Sequence, residues 1–271
     1  MRTLDRCGAP VSALIVIPAR LGSTRLPRKP LRELGGRPLI VRVLERVLAL
    51  KMDGTVVVAT DDESVAESVR AAGGTAVRTS ADHPSGTDRV AEVARLAEYR
   101  DFDVIINVQG DEPFVSGEAV NSARAQVEVL GHPIGTVACT DSADVLEVPS
   151  VVKVVRDSAG RALYFSRAPI PFLRDDSERR ERDELVLRHV GIYAYTRDAL
   201  MHWVSLPPTP LERVERLEQL RPLYAGIAIG VGLSSEPAAG GIDTEDDLAR
   251  ANASWPAPAV LATSPVPAGN R

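Results

Sequence analysis

The feature that most restricts the fold is Ala13-Leu14-Ile15-Val16-Ile17, an uninterrupted apolar run that stops at Pro18. A run this short and this apolar predicts a strand buried on both faces, and such strands belong to parallel sheets covered by helices. The loop after it is cationic and stiff, with Arg20, Arg25, Arg28 and Lys29, hydroxyls at Ser23 and Thr24, and Pro27 and Pro30 between them. From Pro38, a residue suited to a first helical turn, Leu39, Ile40, Val43, Leu44, Val47 and Leu48 repeat at helical spacing as far as Leu50. A strand that delivers a loop of this composition to a sheet edge is suited to holding a polyphosphate.

The alternation continues through the first half. Residues 55–60 read as a β-branched strand. Asp61, Asp62 or Ser64 can cap a helix reaching about Ala72, where Gly73-Gly74 ends it. A short strand near 75–78, a helix over 88–98, a buried strand over 103–108 and a helix over 117–130 follow. This order predicts an α/β fold with a mostly parallel central sheet and helices on both faces. The second half is less regular. Residues 151–156 and 162–165 suggest a hairpin around Asp157-Ser158-Ala159-Gly160, which adds a smaller mixed or antiparallel part. Residues 174–184 are a dense charge run, expected as an exposed loop or helix tip. Strand character returns over 187–195, helix over 210–220 and strand over 226–233. A last helix over 244–252 is capped by Thr244 or Asp243. The expected organisation is a flexible stretch over 1–12, one domain over 13–252, and a disordered Pro/Ala-rich tail over 253–271.

Whole-chain properties narrow the functions. The net charge of −5 makes the basic loop a local feature and argues against a nucleic-acid partner. Cys7 and Cys139 are the two cysteines, too few for a disulfide framework and in no metal-ligand spacing, so a reducing cytoplasm is expected. No apolar run approaches the roughly 18–20 residues of a membrane span, so no membrane partner is expected. The N-terminus carries Asp5 and Arg6 without the apolar stretch of a signal peptide. There is no Gly-x-Gly-x-x-Gly after the first strand, no Gly-x-x-x-x-Gly-Lys-Ser/Thr and no Gly-x-Ser-x-Gly. Dinucleotide, P-loop and serine-hydrolase chemistry are thereby disfavoured.

Chemistry-bearing residues gather in four places. In an open α/β sheet, ligands bind beyond the carboxyl ends of the strands. The cationic loop lies at one such end, and Gln109-Gly110-Asp111-Glu112-Pro113 lies at another. Together they offer cations for phosphate charge and a carboxylate for Mg²⁺, although Asp111 reads equally well as a turn residue. His83-Pro84-Ser85-Gly86-Thr87-Asp88-Arg89 opens a helix, as a base or ribose site or as a plain capping turn. Gly240-Gly241-Ile242-Asp243-Thr244 again sets a carboxylate at a helix start, where Asp243 by itself reads as an N-cap.

These residues resemble one family. Pro18-Ala19-Arg20 with Ser23-Thr24-Arg25-Leu26-Pro27 and Lys29-Pro30, Ala81-Asp82-His83 with Ser85-Gly86-Thr87, and Asn107 to Pro113 stand in its order. So do Val152-Lys153-Val154-Val155, Tyr164-Phe165-Ser166-Arg167-Ala168, Arg188-His189-Val190-Gly191-Ile192-Tyr193, Leu217 to Arg221 and Ile242-Asp243-Thr244. Over about residues 13–252 the chain resembles the 3-deoxy-D-manno-octulosonate (Kdo) cytidylyltransferases, or CMP-Kdo synthetases. The resemblance implies a Rossmann-like nucleotidyltransferase fold. Residues 13–140 would form the nucleotide half, 141–225 the acceptor and dimer part, and 226–252 the return to the core. It implies an enzyme that transfers CMP from CTP to an acid with Mg²⁺, releasing pyrophosphate. Ala19, Arg20, Ser23, Arg25 and Lys29 would bind CTP phosphates, and Ser85, Gly86, Thr87 and Gln109 would border cytidine. Arg20, Arg25, Lys29 and Asp111 would be catalytic, with Asp111 and Asp243 as metal ligands. Arg167, His189, Tyr193, Glu218 and Gln219 would hold the acceptor, and a homodimer is implied.

Kdo is the favoured acceptor. Gly22, Arg28, Arg161 and the charged segment 173–185 depart from the usual pattern. The added charge at Arg28 or Arg161 keeps a smaller acid such as phosphonoformate as the alternative. A non-catalytic nucleotide-binding protein on the same fold is the remoter one.

Overall fold

A computed structural model describes residues 13–255. In chain order its strands are β1 (Ala13–Ala19), β2 (Glu33–Leu34), β3 (Arg37–Pro38), β4 (Gly54–Thr60), β5 (Ala76–Arg78), β6 (Val104–Asn107), β7 (Ile134–Thr140), β8 (Lys153–Arg156), β9 (Ala162–Ser166), β10 (Leu187–Thr196) and β11 (Ile229–Ser234). Its helices are α1 (Leu39–Ala49), α2 (Glu63–Ala71), α3 (Gly86–Arg95), α4 (Gly117–Glu128), α5 (Arg179–Glu184), α6 (Arg197–Ser205), α7 (Pro210–Glu215), α8 (Leu220–Tyr224) and α9 (Glu245–Ser254).

The central sheet runs β11-β7-β10-β6-β1-β4-β5, with the β8–β9 hairpin joined through β10. β1 pairs in parallel with β4 and β6, β4 with β5, and β7 with β11. β10 alone on this path is antiparallel, to both β6 and β7. Every residue of β1 is buried, as its unbroken apolar run requires. Leu39, Val43, Val47, Val65, Val120 and Leu248 cover one face of the sheet. Val90, Val93, Leu200, Trp203 and Leu220 cover the other. β1 sends its chain to β4 on one side, while β6 lies on its other side. The crevice at the carboxyl ends of β1 and β6 is thus the place where an α/β sheet takes a ligand.

Most sequence expectations are met to within a few residues. Asp62 is the α2 cap, its carboxylate accepting from the Ser64 and Val65 N–H groups. The hairpin forms where expected, and the charged run is an exposed turn followed by α5. The expected helix over 210–220 is two helices, because Arg216 takes a left-handed conformation, φ 55°, between α7 and α8. β7 and α6 are additions to the expected elements. The stretch expected to be tail begins inside structure, since α9 runs to Ser254 and Trp255 packs 5.4 Å from the Phe114 ring with the Arg42 guanidinium 4.9 Å over it. The proposed flexible stretch 1–12 and residues 256–271 lie outside the described residues. Among the described residues, no helix is long and apolar enough to cross a membrane.

Helix α4 lies close on β7 and β11 because glycine faces it. A Cβ on Gly135 would stand 2.3 Å from the Ala123 carbonyl oxygen, and one on Gly232 2.3 Å from Ser122 Oγ. Gly135→Ala must push the helix off the sheet, and overpacking of this kind costs about 1–3 kcal/mol. Urea unfolding of that variant should show a lowered midpoint with an unchanged slope; an unaltered midpoint would mean that the helix has slack.

A cleft between a cationic loop and two acidic turns

The cationic loop leaves β1 at Ala19 and closes into a 3₁₀ turn, Lys29–Leu31, after Arg28 at φ 55°. That turn aims Lys29 back across the crevice. Its Nζ lies 2.6 Å from Asp111 Oδ2 and 2.8 Å from Asp243 Oδ1, and Arg25 Nη2 lies 3.0 Å from the same Asp243 oxygen. Burial alone would lower the Lys29 pKa, but the Asp111 and Asp243 carboxylates more than offset it and hold the ammonium above the ordinary lysine value. Residues far apart in the chain thus meet at one ammonium.

Local structure explains why both aspartates are free to do this. Asp111 follows Gly110, whose missing Cβ would stand 2.5 Å from the Pro18 carbonyl oxygen, so the two loops touch backbone to backbone. Asp243 stands just before α9 but does not cap it. Thr244 accepts from the Asp247 N–H, and Asp247 returns a carboxylate to the Thr244 and Asp243 N–H groups. The Ile242 N–H donates to the Asp111 carbonyl at 2.9 Å, tying the two acidic turns together. Glu112, absent from the sequence-derived site, completes the acidic side. Burial first, and then the charge of Asp111, push its carboxyl up to about 8, with Arg188 opposing.

A cleft of about 360 Å³ opens over this cluster. Ala19, Arg20, Ser23, Arg25 and Lys29 line one side, Gln109, Asp111 and Asp243 the floor, and Ser85 and Gly86 the far side. His83 and the buried Arg89, the two ends of the sequence block around Ser85 and given no role of their own there, also line it. Arg89 is 3.5 Å from Asp61 Oδ2, and Asp61 Oδ1 accepts from the Leu21 N–H, so that side of the cleft is braced against the cationic loop. The signal available in the sequence was Arg89 directly after Ser85-Gly86-Thr87-Asp88.

A second cavity of about 170 Å³ adjoins the first. Thr87, Asn107, Gln109, His189, Tyr193 and Glu218 line it, so Thr87 belongs here and not to the larger cleft. Burial holds the His189 ring neutral, with its pKa down to about 3, and raises the Glu218 carboxyl, which accepts from Thr87 Oγ1 at 3.0 Å. Two of the sequence-derived acceptor residues do not reach either cavity. The Arg167 guanidinium donates to the carbonyls of Glu215, Pro149 and Arg216 at 2.8, 2.9 and 3.4 Å. Gln219 is buried at the start of α8. Arg161 pairs with Asp157 at the hairpin turn, and Arg28 lines neither cavity.

Among the described residues, no cluster of three or more His, Cys, Asp or Glu side chains is arranged to hold a metal ion by itself. Asp111 and Asp243 nevertheless suit Mg²⁺, which is commonly bound by one or two carboxylates together with substrate phosphates and waters.

The neutral state of His189 has a measurable consequence. The unfolded chain takes up a proton below pH 6.5 while the folded ring does not, so this residue removes stability as pH falls from 6.5 toward 3 and has no effect above. Its NMR signals should stay flat between pH 8 and 5; a midpoint inside that range would contradict the burial argument.

A family model described as cytidylyltransferase matches residues 14–229. The 3-deoxy-manno-octulosonate cytidylyltransferase of Gemmatimonas aurantiaca is 59% identical over 242 residues, covering 89% of this chain and 93% of its own. That of Polynucleobacter asymbioticus is 47% identical over 239 residues, covering 88% and 93%. Among solved structures, a CMP:2-keto-3-deoxy-manno-octonic acid synthetase complexed with CTP matches with a TM-score of 0.81 at 42% identity, over 89% of this chain and 97% of that one. A 4-diphosphocytidyl-2C-methyl-D-erythritol synthase from Anaerococcus prevotii, at 15% identity and a TM-score of 0.57, shares the fold. With most of its length matched at this level, the chain belongs to the cytidylyltransferase family, among the 3-deoxy-manno-octulosonate cytidylyltransferases, and is a nucleotidyltransferase enzyme.

Proposed function

We propose that this enzyme transfers CMP from CTP to 3-deoxy-D-manno-octulosonate in the cytoplasm, with Mg²⁺ at Asp111 and Asp243 and pyrophosphate as the second product. The observation that carries the reading is the meeting of Lys29, from the cationic side of the cleft, with Asp111 and Asp243 on its floor. Arg20, Ser23 and Arg25 hold the triphosphate, and Gln109, Ser85, Gly86 and Thr87 border the cytidine. The anomeric hydroxyl oxygen of the acceptor attacks the α-phosphorus in line, losing its proton to solvent and forming a P–O bond as the α–β bridging bond breaks and pyrophosphate leaves. Bound Mg²⁺ supplies neutralisation of phosphate charge. Lys29 and Arg25 add positive charge where the leaving group becomes more negative, and the cleft walls align the reactants. No covalent enzyme intermediate is needed.

Two observations support Kdo over phosphonoformate. The second cavity is lined without Arg or Lys, which suits a hydroxylated arm better than a second anionic group. The arginines that suggested a smaller acid, Arg28 and Arg161, lie away from both cavities. The homodimer reading rests on apolar side chains exposed in the second half, Leu163, Phe172 and Leu185, at 60, 83 and 55%.

With CTP and Mg²⁺, pyrophosphate release should follow addition of Kdo and not of phosphonoformate. Binding of CTP with no release for any acid would instead favour a non-catalytic binder. Lys29→Ala and Asp111→Ala should each lower turnover by roughly a hundredfold, the scale of removing one stabiliser of transition-state charge. If Arg167 leaves its carbonyl partners to meet the acceptor, Arg167→Ala raises the acceptor KM and spares CTP affinity. A matching loss of CTP binding would show that it braces the cleft as a whole.

A further inference from the structure

We propose that Thr136 is a positioning residue that fixes which nitrogen of His189 carries the proton, and so makes the second cavity a reader of hydroxyl donors on the acceptor. This rests on the reading of that cavity as part of the acceptor site. Thr136 lies in the middle of β7, fully buried, opposite an irregularity in β10 where the pairing shifts between Val190 and Tyr193. The shift takes backbone carbonyls of residues 191 and 192 out of the regular ladder. Thr136 Oγ1 donates to the Ile192 carbonyl at 2.8 Å.

A threonine hydroxyl has one proton and two lone pairs. With its proton on Ile192, Thr136 presents only a lone pair to His189 Nε2, 2.9 Å away. Nε2 must therefore be the N–H nitrogen. The ring, buried and neutral, has one such proton, which leaves Nδ1 as a bare acceptor. A second group of the cavity lining has the same polarity. Asn107 Oδ1 is buried with no partner, while the Glu218 carboxyl already accepts from the Thr87 and Ser85 hydroxyls. Gln109 spends an Nε2 proton on the Gly191 carbonyl at 3.1 Å, the other carbonyl freed by the same irregularity. His189 Nδ1 and Asn107 Oδ1 are thus two acceptors of the lining that lack donors. A polyhydroxylated carbon arm supplies donors to these two acceptors, whereas carboxylate or phosphonate oxygens would face their lone pairs.

The test uses the intact enzyme and two variants, Thr136→Val, which keeps the shape and removes the hydroxyl, and Thr136→Ser, which keeps the hydroxyl. In ¹⁵N-histidine-labelled wild type, His189 should show a pyrrole-type Nε2 and a pyridine-type Nδ1, and the Ser variant should match. In the Val variant the KM for Kdo should rise roughly tenfold, the worth of about one hydrogen bond, with kcat and CTP affinity within about twofold. The Ser variant should restore it. The penalty for Kdo analogues lacking side-arm hydroxyls should shrink in Thr136→Val. A protonated Nδ1 in wild type, or an unchanged Kdo KM in a folded Val variant that binds CTP normally, overturns the proposal. Absence of any pyrophosphate release in wild type strikes the proposed activity instead, and the tautomer measurement, made on free protein, still decides the Thr136–His189 arrangement.

Discussion

Two carboxylates facing one crevice repel each other unless a cation stands between them, and in this chain that cation is Lys29. The contact joins the loop after the first strand to a turn after β6 and to the last turn before α9. Three segments that only the complete fold brings together are thereby held at one point. The fold shares the work, since the Ile242 N–H to Asp111 carbonyl bond and the Thr244–Asp247 cap hold the two acidic turns irrespective of charge. Lys29 also stands where the proposed metal and phosphates would meet. In this arrangement it balances the acidic turns, and the proposed nucleotide would offer it phosphate oxygens as alternative partners.

The two cavities divide the chemistry. The larger is cationic along one wall and acidic on its floor, which suits a polyphosphate with its counter-ion. The smaller is uncharged or acidic and is lined by β10, whose antiparallel course between β6 and β7 carries His189 and Tyr193 past the carboxyl end of β6. Gln109 and Glu218 line both, so the reactants proposed for the two spaces would meet beside these residues.

Much of this was legible in the sequence. Residues 13–17 and 103–108 could be read as strands because continuous apolar runs have few alternatives. The cationic and acidic loops could be placed because they follow those strands. β7 was not legible, since Gly135 and Thr136 interrupt its apolar pattern for reasons that exist only in three dimensions: a helix against one and a histidine beside the other. The break at Arg216 depends on one left-handed residue that local pattern does not mark. Asp243 looked like a cap until its neighbour took the role. Arg167 was singled out by resemblance, yet its hydrogen bonds run to the carbonyls of 149, 215 and 216, contacts that no spacing rule anticipates. Glu112 and Asn107 stood in the recognised acidic block, but only burial shows one as an uphill carboxyl and the other as an orphaned oxygen.

The backbone contact between Gly110 and Pro18 has a mechanical consequence. β1 and β6 are hydrogen-bonded neighbours, and their emerging loops meet with no side chain interposed, so the floor of the crevice behaves as one rigid plate. Any jaw-like closure over the reactants therefore has to hinge elsewhere, as at the turn between α7 and α8 that brings Glu218 to both cavities.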